Sequence, residues 1–191
     1  MLTGALIFLI DTAFGLFTIA LVLRFYLQCV RASYRNPLSQ FLNAVTDFAV
    51  RPARRVIPGL WGLDLSTLVL AWLVQLLEIY IVLQIRGRAL ESAVGVGLAA
   101  LALLSAILVI KLWLYIVMVA VVIQAMLSWF NPYSPVAPLL NSMTRPFLRI
   151  FRKLIPPIGN VDLSPLFVVI GCQLLLMVPI AYFEMALSRL I

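Results

Sequence analysis

Asp11, Gln75, Glu78, Lys111, Gln124, Gln173 and Glu184 stand inside or beside long apolar runs. Ionisable groups at membrane depth are costly and are functional suspects by default. By the internal repeat at an offset of 98, Asp11 falls at a position equivalent to Val109, two residues from Lys111. Three readings are open for this set: an Asp11–Lys111 ion pair, a proton or cation path through Asp11, Glu78 and Lys111, and snorkelling of Glu184 and Lys111 to the interface. Gln75 and Gln173 are repeat-equivalent and are expected to hydrogen-bond across the bundle. The chain has no histidine, which removes histidine acid–base catalysis, axial histidine ligation of haem and most zinc sites. Cys29 and Cys172 occupy non-equivalent positions in or beside apolar runs, so separate buried thiols are expected rather than a disulfide or metal pair. No nucleophile–base pair, glycine-rich phosphate loop or metal spacing occurs, so no catalytic residue, cofactor or metal site is expected.

A second polar set lies between the apolar runs. Residues 36–77 and 134–175 align without a gap at an offset of 98. Pro37 matches Pro135, Asn43 matches Asn141, Thr46 matches Thr144, Arg51 matches Arg149, Arg54 matches Arg152, and Asp64-Leu65-Ser66 matches Asp162-Leu163-Ser164. Matched polar residues in so apolar a chain mark a true repeat. Within each copy, apolar residues recur at helical spacing: Leu38, Phe41, Leu42, Val45, Phe48 and Ala49, then Val136, Leu139, Leu140, Met143, Phe147 and Ile150. Each loop is therefore expected to be an amphipathic helix along the interface, its apolar side in the acyl boundary or against the spans. A basic turn and a proline follow each helix, then Asp64 or Asp162 just before a span, where the helix dipole favours an anion and the arginines can reach back. Ser66-Thr67 and Ser164-Pro165 read as helix starts. The residues Asn43, Thr46, Arg51, Arg54, Arg55, Asp64, Asn141, Thr144, Arg149, Arg152, Lys153 and Asp162 form either a staple fixing loop to span or a surface docking a partner or lipid headgroup.

The elements that position both sets follow from composition. With 64% hydrophobic and 11% charged residues and a mean hydropathy of +1.13, the chain is an integral membrane protein, since soluble domains carry about a quarter charged residues. The run from Leu2 to Leu23 is too long for a signal peptide and is expected to remain as the first span. Further spans are expected from Asp64 to about Ile85, over about 101–128, and over about 163–187 with a kink at Pro179. Residues 93–130 are nearly twice a bilayer core in length, so they form either a hairpin turning near Lys111 or a segment at 89–100 that lies in the interface or re-enters before one third span. Loops 28–62 and 129–161 are both basic and should both be cytoplasmic, which requires an even number of crossings between them. The expected fold is thus all-α: four transmembrane helices as two parallel repeats of span, amphipathic loop and span, with units 1–88 and 101–191 joined by 89–100 and both termini external. Small residues at Gly95, Ala99, Ala102 and Ala106 would let another helix approach closely, and self-association is possible. The net charge of +7 fits cationic loops on the cytoplasmic side; nucleic acid is not an expected partner.

The segments Asn36-Pro-Leu-Ser-Gln40, Arg54-Arg-Val-Ile-Pro58, Asp64-Leu-Ser66, Leu127-Ser-Trp129, Arg152-Lys-Leu-Ile-Pro-Pro-Ile-Gly159 and Asp162-Leu-Ser-Pro165 strongly resemble the YggT family of small bacterial inner-membrane proteins. The resemblance covers nearly the whole chain in two-copy form. Phe48 stands where the family usually has proline, as Pro146 does in the second copy, and Trp61-Gly62 replaces Gly-Gly. The resemblance implies residence in the bacterial inner membrane and a non-enzymatic role. Plastid relatives are implicated in assembling haem onto a membrane cytochrome, and bacterial members are linked to cell division and osmotic-stress tolerance. Membrane lipids and a membrane-protein partner are the expected contacts, and the leading expectation is an assembly or scaffold factor. The alternative is a small ion or solute transport component.

Overall fold

A computed structural model describes residues 2–32, 36–57, 59, 63–87, 94–131, 133–154 and 162–190, which contain no β-strand. The helices are α1 (Leu2–Cys29), α2 (Pro37–Ala53), α3 (Leu65–Ile85), α4 (Val94–Phe130), α5 (Ala137–Leu154), α6 (Ser164–Leu175) and α7 (Ala181–Ser188), with a π-helical segment Leu176–Ile180 joining α6 to α7. Four stretches are long and apolar enough to cross a membrane: Leu2–Cys29, Leu65–Ile85, Gly97–Phe130 and Ser164–Ser188. Each exceeds the roughly 20 residues that a bilayer core requires.

The third span is longer than expected. Residues 94–100, read from sequence as part of an interfacial or re-entrant segment, are helical and run without a break into α4, whereas 89–93 lie outside the described residues. No proline interrupts Val94–Phe130, and Gly97 costs only about 1 kcal/mol relative to alanine, too little to end a helix flanked by leucine and alanine. The helix also passes straight through Lys111, so no hairpin forms there. The fourth span carries the irregularity expected at Pro179: lacking an N–H and clashing with the preceding turn, the proline sits in a π turn instead of interrupting the helix.

α1 packs on α3 and α4 packs on α6 and α7, giving two hairpins, with α2 folded against the first and α5 against the second. α2 begins where Asn36 accepts a 2.7 Å bond from the Ser39 N–H, with Pro37 in the first turn. The hairpins meet where α4 packs on both α3 and α1. Tyr26 stacks edge-on to Trp113 at 6.0 Å between ring centroids, and its hydroxyl donates to the Met143 carbonyl of α5. The repeat equivalents of Tyr26 and Trp113 are Gln124 and Gly15, so residues about three helical turns apart in repeat register have been brought together. The hairpins are therefore shifted along the bundle as well as rotated. Trp72 donates to the Ala102 carbonyl at 2.9 Å, so α3 is the helix that approaches the small-residue stripe of α4.

Candidate docking surface on the loop helices

α2 and α5 turn matching positions inward: Ser39, Leu42, Thr46 and Val50 in one, Ala137, Leu140, Thr144 and Leu148 in the other. Their flanks differ. In α5 the apolar flank Leu139, Met143 and Phe147 is tucked against the spans while Asn141, Arg145, Arg149 and Lys153 are exposed. In α2 the polar flank is drawn in and the apolar flank is out, leaving Phe48 73% and Phe41 62% exposed. Apolar exposure of this kind suits the acyl layer.

Arg24 is the cause. It lies in the last turns of α1 and is only 6% exposed, so its charge needs a partner. Its Nη1 donates to Thr46 Oγ1 at 2.6 Å and Asp47 Oδ1 at 2.8 Å, and Thr46 passes a 2.6 Å bond on to the Leu42 carbonyl. Arg51 binds the other Asp47 oxygen at 2.7 Å. Desolvation pushes the Asp47 carboxyl up, but hydrogen bonds and charge from Arg24 and Arg51 outweigh it and hold the group below its ordinary value. The second copy has Val122 and Arg145 where the first has Arg24 and Asp47. Thr144 keeps its own 2.9 Å bond to the Leu140 carbonyl, but nothing draws its polar neighbours inward.

Two equivalent clamps then fix the helix ends. Arg54 Nη2 lies 2.5 Å from Asp64 Oδ2, and Arg152 Nη2 lies 2.7 Å from Asp162 Oδ2. Asp64 also accepts from the Ser66 and Thr67 hydroxyls, and Asp162 accepts from the Ser164 N–H at 2.9 Å. Burial raises both carboxyls, yet the arginines and hydroxyl or amide donors prevail and leave each below the usual carboxylate range. The first helical residues are Leu65 and Ser164, so Asp64 and Leu163 occupy the cap positions expected for Ser66 and Ser164. The carboxylate preceding each span accepts these bonds better than a serine would, and it answers the dipole. Pro58 and 155–156, the ends of the paired basic motifs, lie outside the described residues.

The expected docking set therefore divides. Thr46 and Thr144 are fully buried and Asp64 is 8% exposed, so these three hold the helices and cannot meet a partner. Arg54 and Arg152 are clamp residues whose guanidiniums are engaged. Asn43 is half-buried and lines a small recess with Arg24, Gln28 and Ser39. Arg51, Arg55, Asn141, Arg149 and Lys153 are exposed. Sequence reasoning missed the roles of Arg24, Asp47 and Arg145; a lone arginine within the final turns of an apolar helix was the available signal.

The intramembrane set pairs differently from expectation. Lys111 Nζ lies 2.6 Å from Glu184 Oε2, joining α4 to α7, so it is not the partner of Asp11. Asp11 is exposed on α1 and near enough to Glu78 for their charges to interact. Gln75 donates to Glu78 at 3.0 Å while Gln173 is exposed, so the two glutamines do not bridge the bundle. Gln124 donates to Asn141 at 2.8 Å. The expectations failed because equivalent positions do not face one another across shifted hairpins. Among the described residues no cluster of three His, Cys, Asp or Glu could hold a metal ion.

Four apolar spans in two tandem units, each with a clamped amphipathic helix, define a small multi-pass membrane protein built by duplication. The CCB3/YggT family profile matches residues 3–85 and 103–183, and the chain belongs to this family. It is 40% identical over 176 residues to the uncharacterized protein PA0392 of Pseudomonas aeruginosa, covering 91% of this chain and 87% of that one. Against the uncharacterized protein YggT of Escherichia coli K12 it is 32% identical over 168 residues, covering 87% and 85%. Uncharacterized protein ycf19 of Porphyra purpurea is 33% identical over 66 residues, 33% of this chain and 70% of the relative. No solved structure matches.

Proposed function

We propose that the chain is a non-enzymatic assembly or scaffold factor of the bacterial inner membrane, with both loop helices cytoplasmic. The observation that carries this reading is the pair of equivalent clamps, Arg54–Asp64 and Arg152–Asp162. They hold α2 and α5 rigidly at the entrances of the second and fourth spans, so an apolar flank and a basic flank are displayed as fixed surfaces. A preformed surface loses little conformational entropy on binding, which suits docking of a membrane subunit during assembly. Both helices belong to one membrane face because the two units repeat the same direction, and the basic loops mark that face as cytoplasmic.

The test is photo-crosslinking in living cells. A crosslinking residue at Phe41, Phe48 or Asn141 is expected to trap one recurrent membrane protein, while the same residue at lipid-facing Phe8 or Leu9 traps none. Breaking both clamps with Asp64→Asn and Asp162→Asn should abolish that adduct without preventing insertion. Equal trapping from all positions, or trapping indifferent to the clamps, rejects the reading.

A further inference from the structure

The two loop helices handle their charges in different ways. On the loop side of the bundle, every described carboxylate is already engaged: Asp47 by Arg24 and Arg51, Asp64 by Arg54, and Asp162 by Arg152. Arg145, Arg149 and Lys153 pair with no acid among the described residues. They recur every four residues, so they form one exposed ridge along α5. At the corresponding positions of the first unit stand Asp47 and Arg51 of α2 and Arg55 in the turn after it, and there Asp47 pairs with Arg51.

The position of the ridge identifies what it meets. Arg152 is tied to Asp162, two residues before Ser164, the first residue of the last span. That tie pins the C-terminal end of α5 at the membrane boundary, with Arg149 and Lys153 beside it. Ile150 is 58% exposed and Pro146 is exposed between the cations. A surface with cations on one side and apolar groups on the other, at the mouth of a span, matches the junction of phosphate headgroups and acyl chains. The phosphates of anionic lipids already lie at this depth and supply the charge complement of the ridge.

We infer that the α5 ridge Arg145, Arg149 and Lys153 is a binding surface for anionic phospholipid headgroups, and that α2 lacks this capacity because Asp47 stands where α5 has Arg145. This goes beyond the assembly role and does not depend on any protein partner. The first unit is bound to its own core through Arg24, and the second reads the lipid.

The test uses the full-length protein, purified in detergent and reconstituted in nanodiscs of defined mixtures of phosphatidylglycerol and phosphatidylcholine. Lipids retained after gentle delipidation are counted by native mass spectrometry. The wild type is expected to enrich phosphatidylglycerol, and the enrichment should fall as ionic strength rises, because the contact is between exposed charges. Each basic residue near an anionic surface contributes roughly fivefold in affinity, so R145Q/R149Q/K153Q should lower apparent phosphatidylglycerol affinity by about two orders of magnitude. The charge-matched variant R31Q/R51Q/R55Q should leave the preference intact. A triple variant that still enriches phosphatidylglycerol overturns the inference, as does equal loss in both variants, which would reflect net charge alone. Unchanged lipid enrichment with loss of the photo-crosslinked protein would assign the ridge to a protein partner and also overturn it. Conversely, loss of lipid preference with the crosslink intact supports the inference and leaves the assembly reading to its own test.

Discussion

Arg24 is the residue on which the character of the first unit turns. It is buried and shares Asp47 with an exposed arginine, so removing the acid leaves a cation without compensation in an apolar setting. Asp47→Leu is expected to cost on the order of 3 to 5 kcal/mol, whereas Arg24→Val with Asp47→Leu should be far milder, since no uncompensated charge is then left buried. Thermal unfolding in detergent checks this; equal losses in the single and double variants would contradict the coupling. Asp64 offers a pH test. Its carboxyl is held below its ordinary value when folded, so the clamp contributes fully above the unfolded value of about 4 and is lost as pH falls through the folded one. Stability from the clamp should therefore hold from about pH 7 to about pH 5 and drop as the pH falls below about 4. Asp64→Asn should lower stability at neutral pH and flatten that acid limb; an unchanged limb would show that other carboxylates carry it.

Individual elements show why some features were legible in the sequence and others were not. The spans, the two loop helices and their clamps could be read because each rests on local pattern: apolar length, helical periodicity, and an arginine ten residues before a carboxylate at a span entrance. Pro179 was legible as a defect, but its resolution into a π turn depends on how α6 and α7 pack against α4. The inward rotation of the α2 polar flank was not legible, because its cause sits on α1. The partner of Lys111 was misassigned for a related reason: repeat register places Asp11 at its level, while packing of α7 on α4 within the second hairpin brings Glu184 instead. That ion pair holds α7, an eight-residue helix beyond the π turn, to the middle of α4. Lys111→Leu and Glu184→Leu should each cost roughly 3 kcal/mol through an uncompensated charge at depth, and the double variant much less. Asp11→Leu should be additive with Lys111→Leu, because distant sites without shared partners do not couple. Non-additivity between Asp11 and Lys111 would restore the pairing expected from repeat register.

Across the whole molecule, the arrangement of the hairpins bears on the proposed docking role and on its alternative, conduction. A proton or cation path through Asp11, Glu78 and Lys111 needs these groups in one connected series. Instead Asp11 and Glu78 belong to the α1–α3 hairpin, while Lys111 is occupied by Glu184 within the α4–α7 hairpin. Between α1 and α4 the contact is made by Tyr26, Trp113 and aliphatic side chains, and between α3 and α4 by packing that includes the Trp72 bond to the Ala102 carbonyl, so no described contact between the hairpins joins Glu78 to Lys111. Proteoliposomes holding only this protein should therefore dissipate an imposed pH gradient no faster than empty vesicles. In cells, Asp11→Asn and Glu78→Gln should preserve any phenotype that the clamp variants abolish, because each amide keeps shape and hydrogen bonding while removing charge. Cysteines placed at Arg51 and Arg149 should react from the same side of the membrane, with neither labelled from outside intact cells. A gradient that collapses with the wild type and survives with Asp11→Asn or Glu78→Gln would replace the assembly reading with transport, since only a conducting path needs those charges and not the clamps.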